Sequence, residues 1–154
     1  GGPRHFTIAP NSRHAYVINE IGNTVTTFGY DKERGLLLEQ GTVTTVPEDC
    51  DVDTHTADLC LTPDGRFLYG TNRGHNSLAM YKVDAHTGAL TTNGIQDSGG
   101  PVPQNLTMSA DGQLLFVALS ESNKISAFHI DGDSGRLVPL KETEVPTPVC
   151  SVLA

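Results

Sequence analysis

Thr62-Pro63-Asp64-Gly65-Arg66-Phe67-Leu68-Tyr69 is a tight turn that runs straight into an apolar stretch, and the chain makes this junction three times. A related turn is Ala9-Pro10-Asn11-Ser12, and another is Ala110-Asp111-Gly112. From each turn the three copies run in step without an insertion. Val25, Leu78 and Ile125 coincide, as do Phe28, Tyr81 and Phe128. Then come Asp31, Asp84 and Asp131, followed by Gly35, Gly88 and Gly135, and by Leu37, Leu90 and Leu137. A register held this far along three copies identifies a structural repeat.

Each copy divides into four short strands. The first precedes the turn: Phe6 to Ala9, Leu59 to Thr62, Leu106 to Ser109. The second is nearly all apolar (Ala15 to Asn19, Phe67 to Asn72, Leu114 to Leu119), which suits a strand buried on both faces. The third alternates, as in Lys124-Ile125-Ser126-Ala127-Phe128-His129-Ile130, and so presents one polar face. A turn holding Asp and Gly leads to a polar fourth strand that ends near a proline. Four strands every ~50 residues is the period of a β-propeller blade. Helices are excluded by Gly and Pro in every candidate window and by β-branched residues in the rest.

The expected fold is therefore all-β, with blades of four antiparallel strands at about 3–48, 54–100 and 102–146. Residues 148–154 read as the first strand of a fourth blade, and so as a closing strand. Propellers close with four to eight blades. Three blades leave open edges, so the chain, 1–154, is expected to be a partial propeller domain whose missing blades come from elsewhere in a longer chain or from another chain.

Composition narrows the partners. A net charge of −8 over 154 residues, with no basic stripe, argues against nucleic acid. It leaves a small anionic substrate open, because two or three placed arginines outweigh a distant negative surface. No apolar run is long enough to span a bilayer. Three widely spaced cysteines (Cys50, Cys60, Cys150) suit free thiols in a reducing compartment, and the cytoplasm is expected. The acidic stretch Glu48 to His55 lacks the glycine and ligand spacing of a calcium loop, so no metal is expected. No P-loop, GxSxG elbow or dinucleotide fingerprint occurs, and no cofactor is implied.

Differences between the copies point to chemistry. The hairpin turning near residue 12 puts Arg4 roughly opposite Glu20. The second copy carries Ala57 and Arg73 at these two positions, and the third Gln104 and Ser120. Arg4, Glu20 and Arg73 are thus candidate catalytic residues near the channel, where arginines would hold anionic groups. Spacing leaves a second reading open: a cross-strand pair of Arg4 with Glu20, and a solvated Arg73. His5 and His75 are the nearby imidazoles and are candidates for substrate binding; Gly74 would let the backbone bring Arg73 and His75 to one ligand.

Gly2-Pro3-Arg4-His5, Tyr16-Val17-Ile18-Asn19-Glu20, Pro63-Asp64-Gly65-Arg66-Phe67-Leu68-Tyr69 and Asn72-Arg73-Gly74-His75 resemble, in this order, the lactonase family of seven-bladed propellers. The family includes bacterial 6-phosphogluconolactonase and the fungal carboxymuconate cyclase. The resemblance covers essentially the whole chain, aligned with the family's C-terminal three blades. It implies that Arg4, Glu20 and Arg73 belong to an active site whose further histidine lies in an earlier blade, so that the chain alone is incomplete and inactive. Two residues depart from the family pattern: Cys60 stands where a His is common, and Gln104 where an Arg is common.

The implied activity is hydrolysis of a sugar lactone, 6-phosphogluconolactone to 6-phosphogluconate in the pentose phosphate pathway. The arginines would bind phosphate or steady the oxyanion, and Glu20 or a histidine would take the proton from water. Under the cyclase alternative the same arginines clamp the carboxylates of a muconate. A third reading, from another class, rests on Tyr16-Val17-Ile18-Asn19 and Asn23-Thr24-Val25, which also resemble the YVTN-type repeat of non-catalytic binding propellers.

Overall fold

In a computed structural model that describes residues 1–153, twelve strands form three separate four-stranded antiparallel sheets. The first sheet is β1 (Pro3–Ile8), β2 (His14–Asn19), β3 (Thr24–Asp31) and β4 (Leu36–Thr44). The second is β5 (His55–Leu61), β6 (Phe67–Arg73), β7 (Ser77–Val83) and β8 (Leu90–Asp97). The third is β9 (Pro103–Met108), β10 (Leu114–Leu119), β11 (Lys124–Ile130) and β12 (Leu137–Glu144). Each sheet is a simple meander in chain order. The first strands β1, β5 and β9 lie side by side, β1 against β5 and β5 against β9, so they line the inner edge of the fan. The sheets are blades of a propeller.

The repeated aspartate and glycine have one local task in every blade. Asp31 Oδ1 accepts from the amides of Glu33 and Arg34, Asp84 Oδ1 from His86 and Thr87, and Asp131 Oδ1 from Asp133 and Ser134. Such a side-chain acceptor closes the turn between third and fourth strands. The glycine that follows sits at φ 64° (Gly35), 73° (Gly88) and 72° (Gly135), where a Cβ is strained.

Packing between blades supplies the core. Tyr16, Ile18 and Val25 of the first blade meet Leu59, Leu68, Ala79 and Tyr81 of the second. The opposite face of the second blade (Phe67, Tyr69, Leu78, Met80) meets Leu115, Val117, Leu119 and Phe128 of the third. The middle strand β6 is accordingly buried along almost its whole length, as an apolar run flanked by two blades should be. Tyrosine hydroxyls lock neighbours together: Tyr16 donates to Gly88 O at 3.0 Å and Tyr69 to Gly135 O at 2.9 Å.

The outer faces of the fan have no such cover. Phe6 is 67 % exposed on β1 and Val138 49 % on β12. Residues 148–153 pair with none of the described strands as a ladder. They nevertheless lie against β9 in a telling way: Ser151 N donates to Asn105 Oδ1 at 2.8 Å, just as Leu106 N of β9 donates to Asp58 Oδ2 of β5 at 2.9 Å. That contact sets Ser151 against β9 as Leu106 is set against β5. Ala154, included in the expected closing strand, lies outside the described residues.

Candidate active site at the inner strands

A bulge recurs on the inner strand of each blade and builds the site. On β1, Pro3 faces Asn19 and His5 faces Ile18, so Arg4 is the extra residue. On β5 the register skips between Thr56 and Leu59, and on β9 Gln104 is passed over between Pro103 and Asn105. This corrects the simple register in which Arg4 stands opposite Glu20. The bulge re-aims side chains that would otherwise alternate. As a result the consecutive residues Arg4 and His5 both reach the neighbouring blade, at Ala57 and Asp58.

Arg4, Glu20 and Arg73 come together. Arg4 Nη1 donates to Glu20 Oε2 at 3.2 Å, and Arg73 Nη2 donates to Glu20 Oε1. Arg73, expected to be solvated under the simplest reading, is therefore tied across the blade boundary. Backbone carbonyls hold both guanidinium groups: Arg4 Nε donates to Ala57 O at 3.0 Å, Arg73 Nη2 to Thr56 O at 2.8 Å and Arg73 Nε to His55 O at 3.3 Å. The hydrogen bond from Arg73, and then the charge of Arg4, keep the Glu20 carboxyl below its ordinary range against the opposing effect of burial. The triad carries a net charge of about +1, and the side chains of Arg4 and Arg73 remain 29 % and 20 % exposed. A guanidinium has five N–H donors, so both arginines keep donors for an incoming anion.

His5 turns to a residue that sequence comparison passed over. Its Nδ1 lies 2.6 Å from Asp58 Oδ1. Asp58 is buried at 7 % exposure and also accepts from Leu59 N, Asn105 Nδ2 and Leu106 N. His5, Asp58 and Asn105 occupy equivalent positions, one residue beyond the bulge position, in the three blades. Comparing the copies one residue further than Arg4, Ala57 and Gln104 would have found them.

His75 does not join this group. Its Nδ1 lies 2.7 Å from Ser77 Oγ, on the strand that follows. Gly74, read in the sequence as bringing Arg73 and His75 to one ligand, takes φ 94° where a Cβ would strike the backbone of Asp53, and the two side chains go to different partners. Cys60, at the position where the family pattern has His, is a thiol pushed up to about 12 by burial and by the Asp58 charge, so it stays protonated near neutral pH.

A family model described as a lactonase seven-bladed β-propeller matches residues 1–153. The 6-phosphogluconolactonase of Bacillus subtilis is 32 % identical over 150 residues, which is 97 % of this chain and 43 % of that protein. A solved structure of a protein from Lactobacillus plantarum superposes with a TM-score of 0.93 at 30 % identity, covering 97 % of this chain and 44 % of the other. The periplasmic gluconolactonase of Pseudomonas aeruginosa gives a TM-score of 0.89 at 29 % identity, covering 95 % of this chain and 40 % of that one. The chain spans less than half the length of the curated relatives it matches. The blade architecture and a family match that runs from residue 1 to 153 agree: the chain belongs to the lactonase family of seven-bladed β-propellers.

Proposed function

We propose that this chain carries the anion-binding wall of a sugar-lactone hydrolase, and that the substrate is 6-phosphogluconolactone, opened to 6-phosphogluconate. The observation that carries the reading is the arginine pair: two guanidinium groups from different blades, oriented by one carboxylate and three carbonyls, with donors left over. Fixed donors of this kind suit either the phosphate or the oxyanion that forms when water attacks the lactone carbonyl. The Bacillus subtilis relative, a 6-phosphogluconolactonase, favours the phosphorylated lactone. Further blades, from the same or another chain, complete the ring, with residues 148–154 as the closing strand. Three free cysteines, one of them exposed, favour the cytoplasm as the place of action.

The test is hydrolysis of 6-phosphogluconolactone and of unphosphorylated gluconolactone by the complete propeller and its Arg73→Ala variant. The variant is expected to lose about 10²-fold in kcat/KM on the phosphorylated lactone. A loss confined to that substrate puts Arg73 on the phosphate, and a loss on both puts it on the oxyanion. Equal activity of variant and wild type overturns the reading. Turnover of a carboxylated muconate in place of either lactone moves the arginines to the cyclase reaction, and turnover of none of these leaves the propeller as a binding scaffold.

A further inference from the structure

Hydrolysis needs a base as well as an anion site, and four side chains of this chain come into question: Glu20, His5, His55 and His75. Glu20 is poorly suited. Each of its oxygens already accepts from a guanidinium, and those partners hold its carboxyl below the ordinary range, which weakens it as a proton acceptor. His55 stands 4.0 Å from an exposed Asp53, and the His75 ring is turned to Ser77. His5 differs from all three.

Asp58 accepts from three amide N–H groups besides the His5 ring: Leu59 N at 2.9 Å on Oδ1, Asn105 Nδ2 at 2.7 Å and Leu106 N at 2.9 Å on Oδ2. A carboxylate so surrounded by donors is an acceptor throughout, so the ring nitrogen that faces it must donate. The proton of neutral His5 therefore sits on Nδ1, and the lone pair is on Nε2. Nε2 makes no hydrogen bond among the described residues, and the side chain is 48 % exposed. Asp58 is fixed from two blades, by β5 itself and by Asn105 and Leu106 of β9. With the bulge at Arg4, this ring and the Arg4 guanidinium reach the same stretch of the neighbouring blade, at Asp58 and Ala57.

We propose that His5 is the general base of the lactone-opening site, and that Asp58 is its positioning residue. The proposal rests on the lactonase reading above. Water attacks the lactone carbonyl carbon while His5 Nε2 takes one of its protons; the carbonyl π pair moves to oxygen, facing the guanidinium donors. Collapse of that oxyanion breaks the ring C–O bond, and the leaving ring oxygen receives the proton from Nε2. The product is the open hydroxy acid, and the imidazole returns to its starting form. Asp58 supports the transient imidazolium through Nδ1.

The decisive variant is His5→Asn in the complete propeller, because an asparagine amide can still donate to Asp58 and keep the link between blades while Nε2 is gone. Its kcat on 6-phosphogluconolactone is expected to fall about 10²- to 10³-fold with KM nearly unchanged. Added imidazole is expected to restore part of the kcat of His5→Ala, which a purely structural role would not produce. A long-range proton–nitrogen correlation spectrum of the wild type should show neutral His5 protonated on Nδ1, a preference that Asp58→Ala, which leaves no acceptor there, removes. Full activity in His5→Asn while Arg73→Ala is impaired overturns the base assignment and leaves the lactonase reading standing. So does a wild-type ring protonated on Nε2. A wild-type propeller that opens no sugar lactone overturns the reading itself, and the base assignment with it.

Discussion

Glu20 accepts from guanidinium groups carried on two blades, and its protonation is linked to folding in a definite direction. The hydrogen bond from Arg73 is the main reason its folded value lies below the ordinary 4.5. An unfolded chain has no such partners, so it binds the proton at a higher pH than the folded one. The stabilisation is complete above the ordinary glutamate range and is lost as pH falls through the lowered folded value. Glu20→Gln should therefore be less stable than wild type near neutral pH, by no more than about 1 kcal/mol because the pair is partly solvated. That difference should shrink towards zero below pH 4.5, the ordinary value. Urea unfolding at a series of pH values checks this; a difference independent of pH would mean that charge pairing does not stabilise the fold.

At the level of the element, three equivalent turns offer an internal comparison. Gly35, Gly88 and Gly135 all have positive φ. A Cβ on Gly35 meets nothing within 4 Å, whereas on Gly88 it would come 2.5 Å from the His14 ring, and on Gly135 it would run into the Phe67 ring. Gly35→Ala should cost about 1 kcal/mol, the backbone term alone. Gly88→Ala and Gly135→Ala should cost about 3 kcal/mol, since steric overlap between blades is added. The shift of the urea midpoint measures each. Three equal shifts would show that these turns pack too loosely to hold adjacent blades.

Over the whole molecule, the middle blade is covered on both faces and the outer two on one. Phe6 and Ile8 of β1 lie 67 % and 42 % exposed on the face turned away from the second blade. Val138 of β12 is on the corresponding outer face of the third, in register with His129 and Leu114. Apolar faces beside unpaired strand edges invite association. This chain by itself should therefore self-associate in dilute solution, as read by light scattering, and a Phe6→Ser, Ile8→Ser double variant should do so less. A clean monomer with native β-sheet circular dichroism would show that the three blades are self-sufficient.

Blade count, strand order and turn positions were legible in the sequence. They are set locally, by an Asp acceptor and a positive-φ glycine at a fixed offset from an apolar strand, and three copies repeat the message. Arg4, Glu20 and Arg73 were legible as departures from the repeat, but their union was not, because Arg73 and Glu20 are 53 residues apart and meet only where two blades pack. The bulge that re-aims Arg4 and His5 was likewise hidden, since one extra residue leaves no mark in a pattern of residue types. Asp58 and Asn105 carry no mark in the sequence that separates them from other polar residues of the inner strands. Only the tertiary structure made them a hydrogen-bonded chain, since blade packing brings His5, Asp58 and Asn105 within hydrogen-bond reach although 53 and 47 residues separate the partners.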